Sequence, residues 1–153
     1  MKKYRTAAIL GLALILLMCS KTKNPVTSSG EDPTGFKFKS LQSSCGEDST
    51  DTMAEAAKGD TVIFSAHGDT IFVTHQDAFY NCCSEIAIDV VQTTEGFDLF
   101  ERDTSEEACY CMCDFDITAI ISGVSEGEYV VRLFDIYGNI VDSAVVTVYG
   151  YVF

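Results

Sequence analysis

CYCMCDFDITAIIS, residues 109–122, is the most regular stretch of the chain. Its odd positions are Cys109, Cys111, Cys113, Phe115, Ile117, Ala119 and Ile121. Its even positions are Tyr110, Met112, Asp114, Asp116, Thr118, Ile120 and Ser122. Successive side chains of a strand point to opposite faces, so a period of two held this long predicts a strand with one face in a core. The three cysteines sit on that apolar face.

The segments around it read the same way. FKFKSL, residues 36–41, alternates and is a candidate first strand. TVIFSA and IFVTH flank His67-Gly68-Asp69-Thr70. A two-residue turn at Gly68-Asp69 sets a register in which Val62 faces His75, Phe64 faces Val73 and Ala66 faces Ile71. One side of that hairpin is then apolar. Residues 85–91 and 97–101 form a second hairpin around Gly96, with Ile86, Ile88 and Val90 on one face. In the last hairpin, Asp135-Ile136-Tyr137-Gly138 suits a type I turn with Gly138 in a left-handed bulge position. That turn pairs Asp135 with Asn139, Arg132 with Asp142 and Leu133 with Val141. It avoids setting Asp135 opposite Asp142, where like charges repel. One short helix is expected at residues 53–58, with Thr52 to Glu55 as a capping box and Gly59 closing it.

Seven or more short strands with frequent turns indicate an all-β, antiparallel β-sandwich over residues 36–153. GVSEGEYVV, residues 123–131, resembles the E–F corner of immunoglobulin-like and fibronectin type III modules, with Tyr129 as the residue that carries the likeness. The resemblance implies that the Tyr129 hydroxyl bonds back across the corner. DIYGNIVDSAVVTV resembles the closing F–G hairpin of those modules. The likeness covers about the last 30 residues, and elsewhere only the strand count supports it. The core tryptophan and the cysteine spacing of antibody domains are missing; a jelly roll is the alternative topology.

The chain begins as an export signal. Lys2, Lys3 and Arg5 precede a short apolar run that is too brief to span a bilayer, which takes roughly 20 residues. The run ends in Leu16-Leu17-Met18-Cys19, which resembles the lipobox of bacterial lipoproteins, although Met18 stands where that family prefers a small residue. The resemblance implies cleavage after residue 18, acylation of Cys19 and a place in the bacterial cell envelope, at the outer membrane on its periplasmic or surface face. Residues 19–35 carry both prolines of the chain and read as a flexible linker. The whole chain has a formal charge of −13 over 153 residues; without residues 1–18 and their three positive charges it has −16 over 135. Such a surface excludes nucleic acid, whose phosphates need clustered Lys and Arg.

Setting Cys19 aside, six cysteines remain. Same-face neighbours i and i+2 on a strand lie about 6.5–7 Å apart, at the limit for a disulfide. Cys109, Cys111 and Cys113 are therefore poor partners for one another, and Cys45, Cys82 and Cys83 are the three residues left to receive them. Disulfides suit an oxidising compartment. The alternative is a Cu or Zn thiolate site on Cys82, Cys109, Cys111 and Cys113, with Cys83 beside it.

Catalytic signals are weak. No nucleophile elbow, zinc-protease helix, P-loop or dinucleotide fingerprint occurs. His67 in a turn and His75 near a strand end read as solvated. Asp114 and Asp116, with Glu106 and Glu107 nearby, read as a solvated acidic face, as does the polar stretch of residues 47–51. Tyr110, Met112 and the terminal Tyr149, Tyr151, Val152 and Phe153 are candidates for a contact surface, the tail reading more simply as a last strand. The sequence thus predicts a non-enzymatic binding or adhesion module without cofactor, tethered to a membrane by lipid and presented to a protein or a glycan. A metal-handling or redox lipoprotein using the cysteine cluster is the alternative.

Overall fold

The computed structural model describes residues 27–31, 35–45 and 59–150. The expected export signal, Cys19, residues 47–51, the expected helix at 53–58 and residues 151–153 lie outside them. The described residues are all-β. The strands are β1 (Thr27–Glu31), β2 (Lys37–Gln42), β3 (Thr61–His67), β4 (Thr70–Asn81), β5 (Ile86–Gln92), β6 (Gly96–Asp103), β7 (Met112–Ser122), β8 (Gly127–Phe134) and β9 (Ile140–Val148). They form a five-stranded sheet, β1-β2-β7-β4-β3, and a four-stranded sheet, β5-β6-β8-β9, in a sandwich-like arrangement.

The central strand β7 explains why the two sheets adhere. Cys113, Phe115, Ile117, Ala119 and Ile121 are all buried, while the residues between them are exposed or half-buried. Ile71 and Val73 of β4 join them from the next strand. Ile86, Ile88, Leu99, Val131 and Leu133 close the core from the other sheet. Phe36 meets Phe97 edge-on at 5.3 Å between ring centroids, across the sheets. Regular strand begins only at Met112, so Cys109 and Cys111 lie in the loop that leads into it.

The β3–β4 register is the one the turn dictates: Val62 faces His75, Phe64 faces Val73 and Ala66 faces Ile71. Gly68 supplies the positive φ of 59° that the first turn position needs. In the closing hairpin, Asp135 N–H donates to Asn139 O at 2.9 Å and Gly138 N–H to Asp135 O at 3.0 Å, with Gly138 at φ 83°. Beyond the turn the expected register slips. Arg132 faces Ser143 rather than Asp142, and Leu133 faces Asp142 rather than Val141. The bulge has a packing cause. Val141 and the pair Val146 and Val148 differ in parity, and the extra residue lets all three turn inward. Arg132 finds its carboxylate on the neighbouring strand instead, Nε to Asp98 Oδ1 at 2.6 Å.

Two further features differ from the sequence reading. The sheets are not wholly antiparallel, because β6 runs parallel to β8 from Gly96↔Val130 to Phe100↔Phe134. This departs from the all-antiparallel sheets of immunoglobulin-like modules. The stretch read as linker contains β1, which pairs with β2 from Thr27↔Leu41 to Glu31↔Lys37. An edge strand needs main-chain partners more than apolar side chains, so a Ser- and Gly-rich segment can supply one.

The two sheets are also stitched by polar groups. Ser40 and Gln42 of β2 point inward and are buried. Gln42 Oε1 accepts from Ile86 N–H at 2.7 Å and its Nε2 donates to Ser84 O at 3.1 Å. Ser40 Oγ accepts from Ile88 N–H at 3.4 Å. β5 is the edge of its sheet, and these side chains satisfy main-chain donors that the ladder leaves over.

Candidate functional site

A one-residue bulge in β4 builds the most polar part of the interior. His75 pairs with Ile117 and Ala78 with Phe115, so β4 spends one residue more than β7 between those points. Asp77 takes φ 56° there, and its N–H donates to Asp116 Oδ1 at 3.3 Å. The extra residue reverses the parity of the strand. Ile71, Val73 and His75 face inward before it, and Ala78 and Tyr80 face inward after it. His75 and Tyr80 thereby reach the same interior space, where β6 delivers Glu101 on the face of Phe97 and Leu99.

Glu101 is held from two sides. His75 Nδ1 lies 2.8 Å from its Oε1, and the Tyr80 hydroxyl donates to its Oε2 at 2.5 Å. The other imidazole nitrogen, Nε2, lies 3.2 Å from Asp60 Oδ2, just before β3. The side chains of His75 and Glu101 are 2% and 0% exposed, whereas that of Asp60 is 53% exposed. A carboxylate at each ring nitrogen favours the imidazolium, the form in which both nitrogens donate. Burial by itself pushes the His75 pKa down, but the bonds and charges of Glu101 and then Asp60 outweigh it, so the net direction is up. Burial and the Glu101 charge hold the Tyr80 phenol well above its ordinary range, so it remains a donor. Both ring nitrogens are thus engaged by carboxylates of the protein itself. The arrangement ties β4 to β6 across the sheets and the approach to β3 to both.

This corrects the reading of His75 as solvated. The strand parity that buries Val73 buries His75 too, and the carboxylate partners remove the objection to placing it inside. Asp60, Tyr80 and Glu101 were not singled out from the sequence. Glu101 shares the parity of Phe97 and Leu99, which was a usable signal. Tyr80 was hidden by the bulge. His67, at the end of β3, is exposed, as are Asp114, Asp116, Glu106 and Glu107.

The six cysteines pair across the two sets. Cys45 bridges to Cys113, Cys82 to Cys111 and Cys83 to Cys109, with Cα–Cα distances of 5.7, 5.6 and 5.6 Å. Cys113 is buried and holds β7 to the segment after β2. The other two bridges join the end of β4 to the loop before β7. Comparison with protein-family models, curated proteins and solved structures found no match. The site is therefore read from its own geometry. Among the described residues, Cys82, Cys109 and Cys111 are the group of potential metal ligands whose donor atoms all lie within 4.8 Å of one another. Cys113 of the alternative metal set is turned to the core and bridged to Cys45 instead. Met112 is exposed on the opposite face of β7.

At the other end of the domain, the Tyr129 hydroxyl donates to Ser125 O at 3.0 Å, bridging the corner before β8. Its ring packs 5.6 Å from that of Phe97.

Proposed function

We propose that this chain is a lipid-anchored protein of the bacterial cell envelope whose disulfide-pinned β-domain serves as a non-catalytic binding or adhesion module. The observation that carries the proposal is the pairing of Cys45, Cys82, Cys83, Cys109, Cys111 and Cys113 into three bridges. Three bridges in one small domain suit an oxidising compartment outside the cytosol. The positive start, the short apolar run and Cys19 point to the same place. A histidine with both nitrogens committed to carboxylates supports a structural role for the buried network rather than acid–base chemistry. Tyr110 and Met112, exposed beside the bridged loop, and Tyr149 after β9 supply apolar contact area for a protein or glycan partner. The finer assignment to an immunoglobulin-like module rests on the Tyr129 corner and the β8–β9 hairpin, and the parallel β6–β8 pair weighs against it.

Palmitate labelling in a bacterial host tests the anchor. Wild-type protein should incorporate label and fractionate with membranes, and Cys19→Ala should do neither. Unlabelled wild-type protein released freely from the cell would overturn the proposal.

A further inference from the structure

Two of the three bridges lie against each other. Cys109 belongs to one and Cys82 and Cys111 to the other, yet the three sulfurs are all within 4.8 Å of one another. The four cysteines are partly accessible, unlike Cys113 of the third bridge. Their backbone is also organised without the bridges. Asn81 Nδ2 donates to Cys109 O at 2.6 Å, and Asn81 Oδ1 accepts from Cys109 N–H at 3.1 Å and from Cys83 N–H at 3.0 Å. Cys82 N–H donates to Cys111 O at 3.2 Å. One asparagine side chain thus holds the Cys82-Cys83 arm against the Cys109–Cys111 arm. None of these contacts passes through a sulfur atom.

We propose that Cys82, Cys83, Cys109 and Cys111 form, on reduction, a four-thiolate site for a single zinc-class cation, positioned by Asn81. This inference is independent of the adhesion reading. Four sulfurs about 2.3 Å from a tetrahedral Zn(II) lie about 3.8 Å from one another. Each bonded pair, about 2.05 Å apart while oxidised, opens by roughly 2 Å to reach that spacing, and Cys83, which stands outside the group of three, swings in toward Cys82, Cys109 and Cys111, movements that rotation of the cysteine side chains supplies. The chemistry balances with a dithiol as reductant. Two dithiols each close to a cyclic disulfide and deliver two electrons and two protons to one bridge, so two S–S bonds break and four thiols form. Cation binding then releases the four thiol protons to solvent as four metal–sulfur bonds form. The third bridge, Cys45–Cys113, keeps the start of β7 anchored throughout.

Cadmium titration of the full-length protein in detergent, before and after dithiol reduction, tests the site through sulfur-to-metal charge-transfer absorption and native mass spectrometry. The reduced protein should bind one Cd(II) per chain while keeping its β-sheet circular dichroism, and the oxidised protein none. Cys82→Ser/Cys111→Ser and Cys83→Ser/Cys109→Ser should each abolish the stoichiometric site, and Cys45→Ser/Cys113→Ser should retain it. Asn81→Leu should weaken binding by about 10- to 100-fold with the free-thiol count unchanged. Absence of binding by reduced protein would overturn the proposal. So would binding that survives either of the first two double substitutions, or binding that appears only once the β-sheet signal is lost.

Discussion

Replacing Glu101 by Gln keeps the shape of the side chain and removes the charge on which the buried network rests. Glu101 is fully buried, and its two oxygens serve His75 at 2.8 Å and Tyr80 at 2.5 Å. Removing one partner of a buried ion pair costs about 3–5 kcal/mol, because the other charge is left inside uncompensated. Asp60 is half exposed and screened, so it offsets little of that loss. For a domain of this size, the loss corresponds to a fall in Tm of roughly 10–20 °C. The pH dependence gives a sharper test. His75 has its folded-state pKa raised above the ordinary 6.5 by Glu101 and Asp60 against the opposing effect of burial. Its contribution is therefore complete below about pH 6.5 and fades as pH rises through the folded-state pKa. One proton bound in the folded state and lost in the unfolded state gives a slope of up to about −1.4 kcal/mol per pH unit over that interval. Urea unfolding of wild type and Glu101→Gln from pH 6 upward measures both quantities. Wild type should weaken with rising pH, and the variant should be less stable at pH 6 with a flatter profile. Equal stability at pH 6, or an unchanged slope, would refute the account of the network as a charged clamp.

Cys45→Ala/Cys113→Ala opens a bridge between residues 68 apart in sequence and should destabilise the domain by up to about 4 kcal/mol, more than loss of either shorter bridge; chemical denaturation of the three double variants gives the ranking. Gly96→Ala should prevent normal folding, because a Cβ there collides with the main chain of Val130 in the parallel β6–β8 pair. Soluble yield and the circular dichroism spectrum report that outcome.

How much of this was legible depended on whether sequence neighbours or distant segments decide the contact. The β3–β4 register followed from a two-residue turn and an alternating pattern, both local. The alternation of residues 113–121 located the core face of β7 for the same reason. Counting strand geometry against the C-x-C-x-C run separated the cysteines into two sets, but the individual partners depend on how β2, β4 and β7 lie side by side. Bulges were the main loss. Each inserts a residue without a sequence signature and reverses the meaning of parity beyond it. The bulge at Asp77 concealed that Tyr80 shares a face with His75, and the one at Val141, opposite the step from Leu133 to Phe134, shifted Arg132 from Asp142 to Ser143. The parallel β6–β8 pairing joins strands separated by the whole of β7 and lay beyond any local rule. Buried charge was missed because His75 and Glu101 look expensive singly, and each becomes affordable only when the other is present.

The inward-facing Ser40 and Gln42 have a consequence for crowding. Where two copies meet margin to margin, an open sheet margin is a template on which a neighbouring chain can continue the ladder. At β5 the amides of Ile86 and Ile88 are already engaged by Gln42 and Ser40 from the facing sheet. A neighbour adding there would first have to strip both donors, at about 1–3 kcal/mol for each buried group left unsatisfied. Two small polar side chains of β2 therefore act as a guard against polymerisation along that margin.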